Sequence, residues 1–321
     1  MQRRQLLASL AVASVAPGMV LAQDNRVIRL VVPFPPGGAT DITGRVLHEA
    51  LPRYLKQPVI VENRAGAGGS IGMAEVARSA ADGLTFAVAT LSTHGVNPAV
   101  YSRLPYDPLK DFVGVTEIVK APGVLVVNPR VLPVKDFADL VRYLKANPGK
   151  VSYATPGNGT IGHMWGELFK RSTETAMVHI PYRGAGPALN DVLGGQVAVY
   201  FDQVAASLPH IRAGKLKALA VSWPSRLDVL PDVPTYAEMG YPVNNDPSWF
   251  GLVAPAGTPQ ALVERMQQAV AQALKEPAVR ERLAGQGLYP SGSTPQEFSA
   301  QIAHEIKKMK GVAEFAKVRL E

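Results

Sequence analysis

The chain has 321 residues, of which 47% are hydrophobic and 18% are charged, and it contains no cysteine. This composition excludes a disordered or fibrous protein, and the lack of cysteine excludes a disulfide-stapled domain and a lipid anchor on an N-terminal cysteine. The net charge is +7, or +5 without Arg3 and Arg4, which suits an anionic small molecule. Basic residues are scattered and no nucleic-acid motif is present, so we expect no nucleic-acid partner.

Residues 1–22 predict a secretory signal peptide. Arg3 and Arg4 precede the apolar residues 6–15, and residues 20–22 offer small side chains for cleavage. The apolar run is shorter than the roughly 20 residues of a membrane-spanning helix, which argues against an anchor. The arginine pair also resembles a twin-arginine export signal, and general secretion stays open as the other route. Both routes predict a periplasmic location.

From residue 27 onward, short β-branched runs alternate with helical patterns. The first series predicts strands over residues 27–32, 59–62 and 85–89, with helices over residues 39–54 and 70–80. The second series predicts strands over residues 124–127, 151–154, 178–180, 197–201 and 216–221, with helices over residues 134–146, 160–170 and 187–193. This alternation is typical of α/β sheets with crossover helices.

Two proline- and glycine-rich connections, at residues 120–123 and 241–247, bracket the second series. They predict a discontinuous domain 1 of residues 23–122 and 246–321, and a domain 2 of residues 123–245. The C-terminal part is predicted to be helical, with Thr258 and Thr294 as caps because each precedes a proline.

Three glycine-rich segments follow predicted strands and lead into predicted helices. They are residues 34–40 (FPPGGAT), 156–160 (PGNGT) and 182–186 (YRGAG). Glycine permits backbone conformations that other residues avoid, and the free amides and dipole of a helix N-terminus attract anions. Each segment alone is also typical of an ordinary strand-to-helix turn. Their recurrence in both halves of the chain favours an anion site.

The carboxyl ends of the strands are the expected place for a ligand in an open α/β sheet. The three segments and the loop of residues 90–94 would meet there, two from each half, which predicts a cleft. Arg183 can bind a carboxylate through its forked guanidinium donors. Asp202, at the end of a predicted strand, either caps backbone amides or pairs with a ligand amine or hydroxyl, and both interpretations stay open.

Enzyme and metal motifs are the alternatives. Residues 68–72 match G-x-S-x-G with Ser70 as nucleophile, but six residues separate Asn63 from Ser70, whereas a nucleophile elbow needs a sharp turn. We expect Ser70 to cap a helix N-terminus instead. The histidines lack metal-ligand spacing, and no phosphate-binding or dinucleotide motif is complete. We therefore expect no catalytic residue, no metal and no cofactor.

Six segments together resemble the Bug-type, TctC-like extracytoplasmic solute receptors of the tripartite tricarboxylate transporters. They are VPFPPGGATDITGR, VENRAGAGGSIG, STHGVNP, YATPGNGTIGH, PYRGAGPALNDVLGGQVAVYFD and WFGLVAPAGTP. The resemblance covers the mature chain in the family's order. It implies a two-domain periplasmic-binding-protein fold, type II-like, in which the domains close like a Venus flytrap on a small carboxylate. The implied partners are a large and a small membrane subunit.

The resemblance also implies which residues bind the ligand. Backbone amides of residues 37–40 would hold one end and residues 158–160 the other, while side chains at variable positions would set specificity. The full set of candidate ligand-binding residues is Phe34, Gly37, Gly38, Ala39, Thr40, Thr90, Ser92, Thr93, Asn158, Gly159, Thr160, His163, Arg183 and Asp202.

His163 and Arg183 favour an aromatic or dicarboxylic acid, with an amino acid or a citrate-like acid as the alternative. The receptor is expected to be a monomer. A role in signalling through a sensor kinase, without transport, stays open.

Overall fold

The computed structural model describes residues 26–321, so the predicted signal peptide lies outside the described residues. The strands, in chain order, are β1 Ile28–Val32, β2 Val59–Asn63, β3 Thr85–Thr90, β4 Phe112–Ala121, β5 Gly123–Val127, β6 Ser152–Thr155, β7 Val178–Pro181, β8 Val199–Gln203, β9 Lys217–Ser222, β10 Ser248–Pro255 and β11 Tyr289–Pro290. They form two separate sheets.

The helices surround both sheets. In chain order they are α1 Ala39–Ala50, α2 Pro52–Leu55, α3 Ser70–Ala77, α4 Asn97–Val100, α5 Phe137–Ala146, α6 Ile161–Thr173, α7 Ala185–Leu193, α8 Val204–Arg212, α9 Gln260–Ala273, α10 Pro277–Gly285 and α11 Pro295–Ala316. Shorter helical turns occupy Ala67–Gly69, Ser92–Val96 and Pro242–Asn244. Within residues 26–321, no helix has the length and apolarity needed to cross a membrane.

The first sheet has the strand order β11-β4-β10-β3-β1-β2. Strand β1 pairs in parallel with β2 and β3, and β10 runs antiparallel between β3 and β4. Parallel neighbours need a crossover connection, which α1 and α3 supply. Every residue of β3 and β10 is buried, as expected for central strands covered by helices on both faces.

The second sheet has the order β7-β6-β8-β5-β9. Strand β6 runs parallel to β7 and β8, with α6 and α7 as crossovers, whereas β5 is antiparallel to β8 and β9. The parallel strands of both sheets end at the same region of the molecule. The predicted α/β class is therefore confirmed, and the domain limits at residues 122 and 246 stay a prediction.

The chain passes between the sheets twice, and the passages lie close together. In the first, only Pro122 separates β4 from β5. The second runs through residues 242–247 into β10. Trp165 contacts both passages: its Nε1 donates to the Asp246 carbonyl at 3.2 Å, and its ring leaves no room for a side chain at Gly123. These contacts fix the position of α6 against both passages.

Several sequence predictions needed correction. The predicted helix over residues 39–54 divides at Pro52, because proline has no amide hydrogen to donate to the preceding turn. Residues 120–121 belong to β4, a strand that was not predicted. Ser70 is the first residue of α3 and not its cap, since the cap position is Gly69. Similarly, the N-cap position of α9 is Pro259 and not Thr258.

The capping role of Thr294 is confirmed. Its side chain accepts a hydrogen bond from the Glu297 amide, and the Glu297 carboxylate accepts one from the Thr294 amide. This reciprocal pair satisfies two amides at the start of α11.

Candidate functional site

A cavity lies between the sheets, where the parallel strands of both end. The cavity is lined by Phe34, Pro35, Gly38, Ala39, Thr40, Thr90, Ser92, Pro156, Thr160, Ile161, Gly162, Trp165, Ala185, Phe201, Asp202, Gln203 and Phe250. Eight of the fourteen predicted site residues are in this lining.

The first wall of the cavity is the N-terminus of α1. Gly37 has a φ of +90°, which turns the chain so that its amide donates to Asp41 Oδ2 at 3.0 Å. Gly38, in extended conformation, then begins the helix. The first amides of an α-helix have no partner within the helix, so those next to Gly38 and Ala39 can bind an anion.

Asp41 holds this wall in place from behind. Its Oδ2 also accepts from Arg45 Nε at 2.8 Å, and its Oδ1 accepts from Asn63 Nδ2 at 2.9 Å. The Asn63 amide group also donates to the Phe34 carbonyl. Burial acts to raise the pKa of Asp41, but these hydrogen bonds and the Arg45 charge lower it below its ordinary value. Asp41 is therefore an ionised structural anchor.

The second wall contains the N-termini of α6 and α7. Thr160 caps α6: its Oγ1 accepts from the His163 amide and donates to the Gly157 carbonyl at 2.7 Å. Gly184, with a φ of +117°, precedes Ala185 at the start of α7. Together with α1, three helix N-termini therefore face one cavity, and their dipoles all favour negative charge there.

The two walls contact each other directly. The Ile161 amide at the start of α6 donates to Ser92 Oγ at 3.0 Å, and Tyr101 Oη donates to the Asn158 carbonyl at 3.2 Å. Gly184 packs so closely on Pro35 that an added Cβ would lie 2.4 Å from the proline ring. The loops from the two sheets thus enclose the cavity.

Asp202 lies in the second wall and is 2% exposed. It precedes α8, and its Oδ2 accepts from Ser207 Oγ at 2.7 Å. Burial raises the pKa of Asp202 to about 6, although hydrogen bonds from Ser207, the Gln203 amide and Tyr200 act in the opposite direction. No cationic side chain is among the described residues that line the cavity.

The structure places His163 away from the cavity. Its ring stacks on His179 with centroids 4.2 Å apart, and its Nδ1 accepts from the Gly159 amide at 3.4 Å. Burial lowers the pKa of His163, with a smaller opposing effect from Glu167. The sequence suggested a ligand contact for His163, whereas here its ring, on α6, supports the 156–160 segment and packs against His179 of β7.

Thr93 also has a local structural role. Its Oγ1 accepts from the Thr90 amide at 3.0 Å and lies 3.0 Å from His94 Nδ1. The predicted loop of residues 90–94 is in fact the end of β3, at Thr90, followed by the helical turn Ser92–Val96. Thr93 packs into this turn, while Thr90 and Ser92 reach the cavity.

Arg183 and Asn158 line a second, outer pocket, which Gly66–Gly69 and Tyr101 border from the first sheet. Arg183 is exposed there. Neither residue lines the inner cavity, and neither do Gly37 and Gly159. Arg183 therefore lies at the outer pocket and not in the inner cavity.

Aromatic residues that the sequence did not single out complete the lining. Phe201 and Phe250 lie on the strands β8 and β10, and Trp165 lies one turn into α6. Gln203, at the end of β8, adds an amide group. Their patterns are those of ordinary core strands and helices, so sequence alone offered no signal that distinguishes them from core residues.

Ser70 has the surroundings of a structural residue. It is 4% exposed, its Oγ donates to the Ala67 carbonyl at 2.8 Å, and it accepts from Asn97 Nδ2 at 3.2 Å. A nucleophile would need its hydroxyl hydrogen directed at a base. In residues 26–321, no group of three histidine or acidic side chains is placed to hold a metal ion.

A family model described as the tripartite tricarboxylate transporter family receptor matches residues 43–317, which is most of the chain. The chain belongs to this receptor family. The receptor is 42% identical over 288 residues to Protein BugT of Bordetella pertussis, covering 89% of this chain and 88% of that protein. The predicted resemblance to Bug-type receptors is confirmed.

Solved structures of similar proteins extend over nearly all of the receptor. Rpa4515 of R. palustris with adipate is 35% identical, with a TM-score of 0.89 and coverage of 92% of this chain and 99% of that one. MatC from Rhodopseudomonas palustris with bound malate is 34% identical, with a TM-score of 0.85 and coverage of 89% and 98%. The predicted periplasmic-binding-protein fold is confirmed by these similarities and by the two sheets.

Proposed function

We propose that this receptor works in the periplasm, binds a small carboxylate in the cavity between its sheets, and delivers it to the large and small membrane subunits of a tripartite transporter. The observation that carries the proposal is the meeting of three helix N-termini, those of α1, α6 and α7, at one enclosed cavity. Such ends bind anions through backbone amides without a cationic side chain.

The ligand class follows from the shape and chemistry of the walls. Opposite walls each present helix amides, so a molecule with a carboxylate at each end can contact both. Phe34, Phe201 and Phe250 add apolar surface between the ends. The similar proteins with adipate and malate bind dicarboxylates, which supports a dicarboxylic or aromatic acid. An amino acid or a citrate-like acid is the alternative.

Binding of such a ligand would stabilise the arrangement in which both walls touch it. A ligand shifts a conformational equilibrium only by its differential affinity for the two states. A carboxylate that contacts both α1 and α6 has this preference for the closed arrangement. The receptor is proposed to act as a monomer, and signalling through a sensor kinase would need the same closure.

The test is a thermal-shift screen of the protein from residue 23 onward against mono-, di- and tricarboxylates, aromatic acids and amino acids, followed by calorimetry of the hits. A ligand at a hundred times its Kd adds about 2.7 kcal/mol of stability. The proposal is wrong if no carboxylate raises the melting temperature.

Two matched variants locate the site. Ala39→Asp places a negative charge at the first position of α1, where an acidic side chain is compatible with the helix. Ala39→Asn has nearly the same size without the charge. We expect the Asp variant to weaken carboxylate binding at least tenfold more than the Asn variant. Equal affinities would place the ligand elsewhere.

A further inference from the structure

Asp202 is the one ionisable side chain among the described residues that line the cavity. The cavity otherwise presents helix N-termini, hydroxyl groups and apolar rings. A site built to attract carboxylates therefore contains a buried carboxyl group of its own. Like charges at short range in a water-poor site cannot both stay ionised without a large cost.

The groups that face Asp202 offer no positive charge. Ser207 on α8 donates to Oδ2, the Gln203 amide and the Tyr200 hydroxyl are its other neighbours, and the pKa of Tyr200 is itself raised by burial. Across the cavity, α1 and the Ser92–Val96 turn contribute neutral residues, and α6 and α7 contribute only their N-termini.

The charged side chains on α1 and α6, and the one before α7, pair with other residues or lie outside the cavity. Arg45 on α1 is paired with Asp41, and Lys170 on α6 with Glu167. Arg183, which precedes α7, borders the outer pocket. His163 stacks on His179 of β7 and does not line the cavity, so Asp202 has no cation to hold its charge when a ligand excludes water.

We infer that Asp202 takes up one proton from solvent when the receptor closes on a ligand with a carboxylate at the second wall, so that dicarboxylate binding is linked to proton uptake. The inference rests on the proposed function. In the bound state the protonated oxygen of Asp202 donates to the ligand carboxylate, while Ser207 continues to donate to the other oxygen. The burial that raises the pKa of Asp202 when the two walls are in contact supports this step.

The linkage has a measurable consequence. Between pH 7 and 9, Asp202 of the free receptor is ionised and simple dicarboxylates are fully ionised as well, so each binding event must add a proton. The affinity then falls by up to tenfold for each unit of rising pH. A monocarboxylate held only at the first wall is insensitive to pH in the same range.

The experiment is calorimetry of the full mature receptor with succinate, malate, adipate and benzoate at pH 7, 8 and 9, in buffers of different ionisation enthalpy. The heat difference between buffers counts the protons taken up. For the wild type we expect close to one proton per dicarboxylate at pH 8. Asp202→Asn keeps an oxygen that accepts from Ser207, and its binding should be independent of pH, without proton uptake, and at least tenfold tighter than wild type at pH 9.

Asp228→Asn is the matched control, since Asp228 is exposed, lies in the same half of the chain, and changes the net charge equally. It should keep the wild-type proton count and pH profile. Dicarboxylate binding by the wild type without proton uptake would overturn the inference and leave the proposed function supported. Preferential binding of an amino acid, lost in Asp202→Asn, would overturn it by showing an ionised Asp202. Absence of binding by every acid would overturn both.

Discussion

Asp41 and Asp202 are both buried aspartates near a helix N-terminus, one in each wall of the cavity. Their pKa values are nevertheless shifted in opposite directions. Asp41 accepts from the Gly37 amide, Arg45 and Asn63, and its pKa is lowered. Asp202 accepts from Ser207 and has no cation nearby, and burial raises its pKa to about 6. Burial acts to raise the pKa of both aspartates, so their hydrogen-bonded and charged partners decide the direction of the net shift.

The two carboxyl groups therefore serve different purposes. Asp41 holds the segment that presents the first wall, and its charge is neutralised within the protein. Asp202 faces the cavity itself, and no cationic side chain among the described lining residues neutralises its charge. The two aspartates also contribute to stability with opposite pH dependence, which makes the comparison open to experiment.

The largest effect is expected from Asp41→Ala. It removes the acceptor for three donors, so we expect the free energy of unfolding at pH 7 to fall by about 4 kcal/mol, with Arg45 contributing little because it is 47% exposed. Asp41→Asn keeps an acceptor for the Gly37 amide and should cost less than half as much. Urea denaturation measures both, and a loss below about 1 kcal/mol for Asp41→Ala would contradict the anchoring role.

The second-largest effect has the opposite sign, since replacing Asp202 should raise the free energy of unfolding. Because the pKa of Asp202 is higher in the folded state than its ordinary value, its ionisation destabilises the fold above pH 6, and this penalty is lost as the pH falls toward 4. Asp202→Asn should therefore raise the free energy of unfolding by roughly 2 to 3 kcal/mol at pH 8.

The gain should shrink steadily between pH 6 and pH 4. Urea denaturation of wild type and Asp202→Asn at pH 4, 6 and 8 checks this dependence, with Asp228→Asn as control. A gain that is constant over this range would mean that Asp202 titrates normally.

A smaller effect is expected from Ser92→Ala, which breaks the hydrogen bond that joins the walls at the Ile161 amide. A neutral hydrogen bond contributes about 1 kcal/mol, so affinity should fall about fivefold for every ligand alike, and small-angle scattering should show a more open average shape. Ser291→Ala, on the exposed surface, is the control. Unequal losses among ligands would instead make Ser92 a ligand contact.

Much of the site was predictable because proline restricts the backbone locally and glycine permits conformations that other residues avoid. The segment at residues 34–40 contains the turn and the helix start that its sequence predicts, and Thr160 caps α6. Trp165 and Phe250 were not predictable, because an aromatic residue in a buried strand or helix has the same pattern whether it faces the core or a cavity.

His163 and Arg183 were predicted to contact the ligand, but neither lines the inner cavity. Both residue types suit a ligand contact; His163 closely follows the glycine-rich segment 156–160, and Arg183 lies within the segment 182–186. Stacking on His179 turns His163 inward, and the path of the 182–186 segment brings Arg183 to the outer pocket. Such directions depend on long-range packing, which local patterns do not contain.

The sequence by itself determined the alternation of strands and helices, the receptor family and the glycine-rich helix starts, because these depend on residue order and local backbone preference. Only the tertiary structure decided that three helix N-termini meet in one cavity and that Asp202 shares it without a cation. Those facts depend on how two sheets, formed by distant parts of the chain, are brought face to face. The raised pKa of Asp202 follows from its burial in that arrangement, because its partners near in sequence, Tyr200, Gln203 and Ser207, all act to lower it.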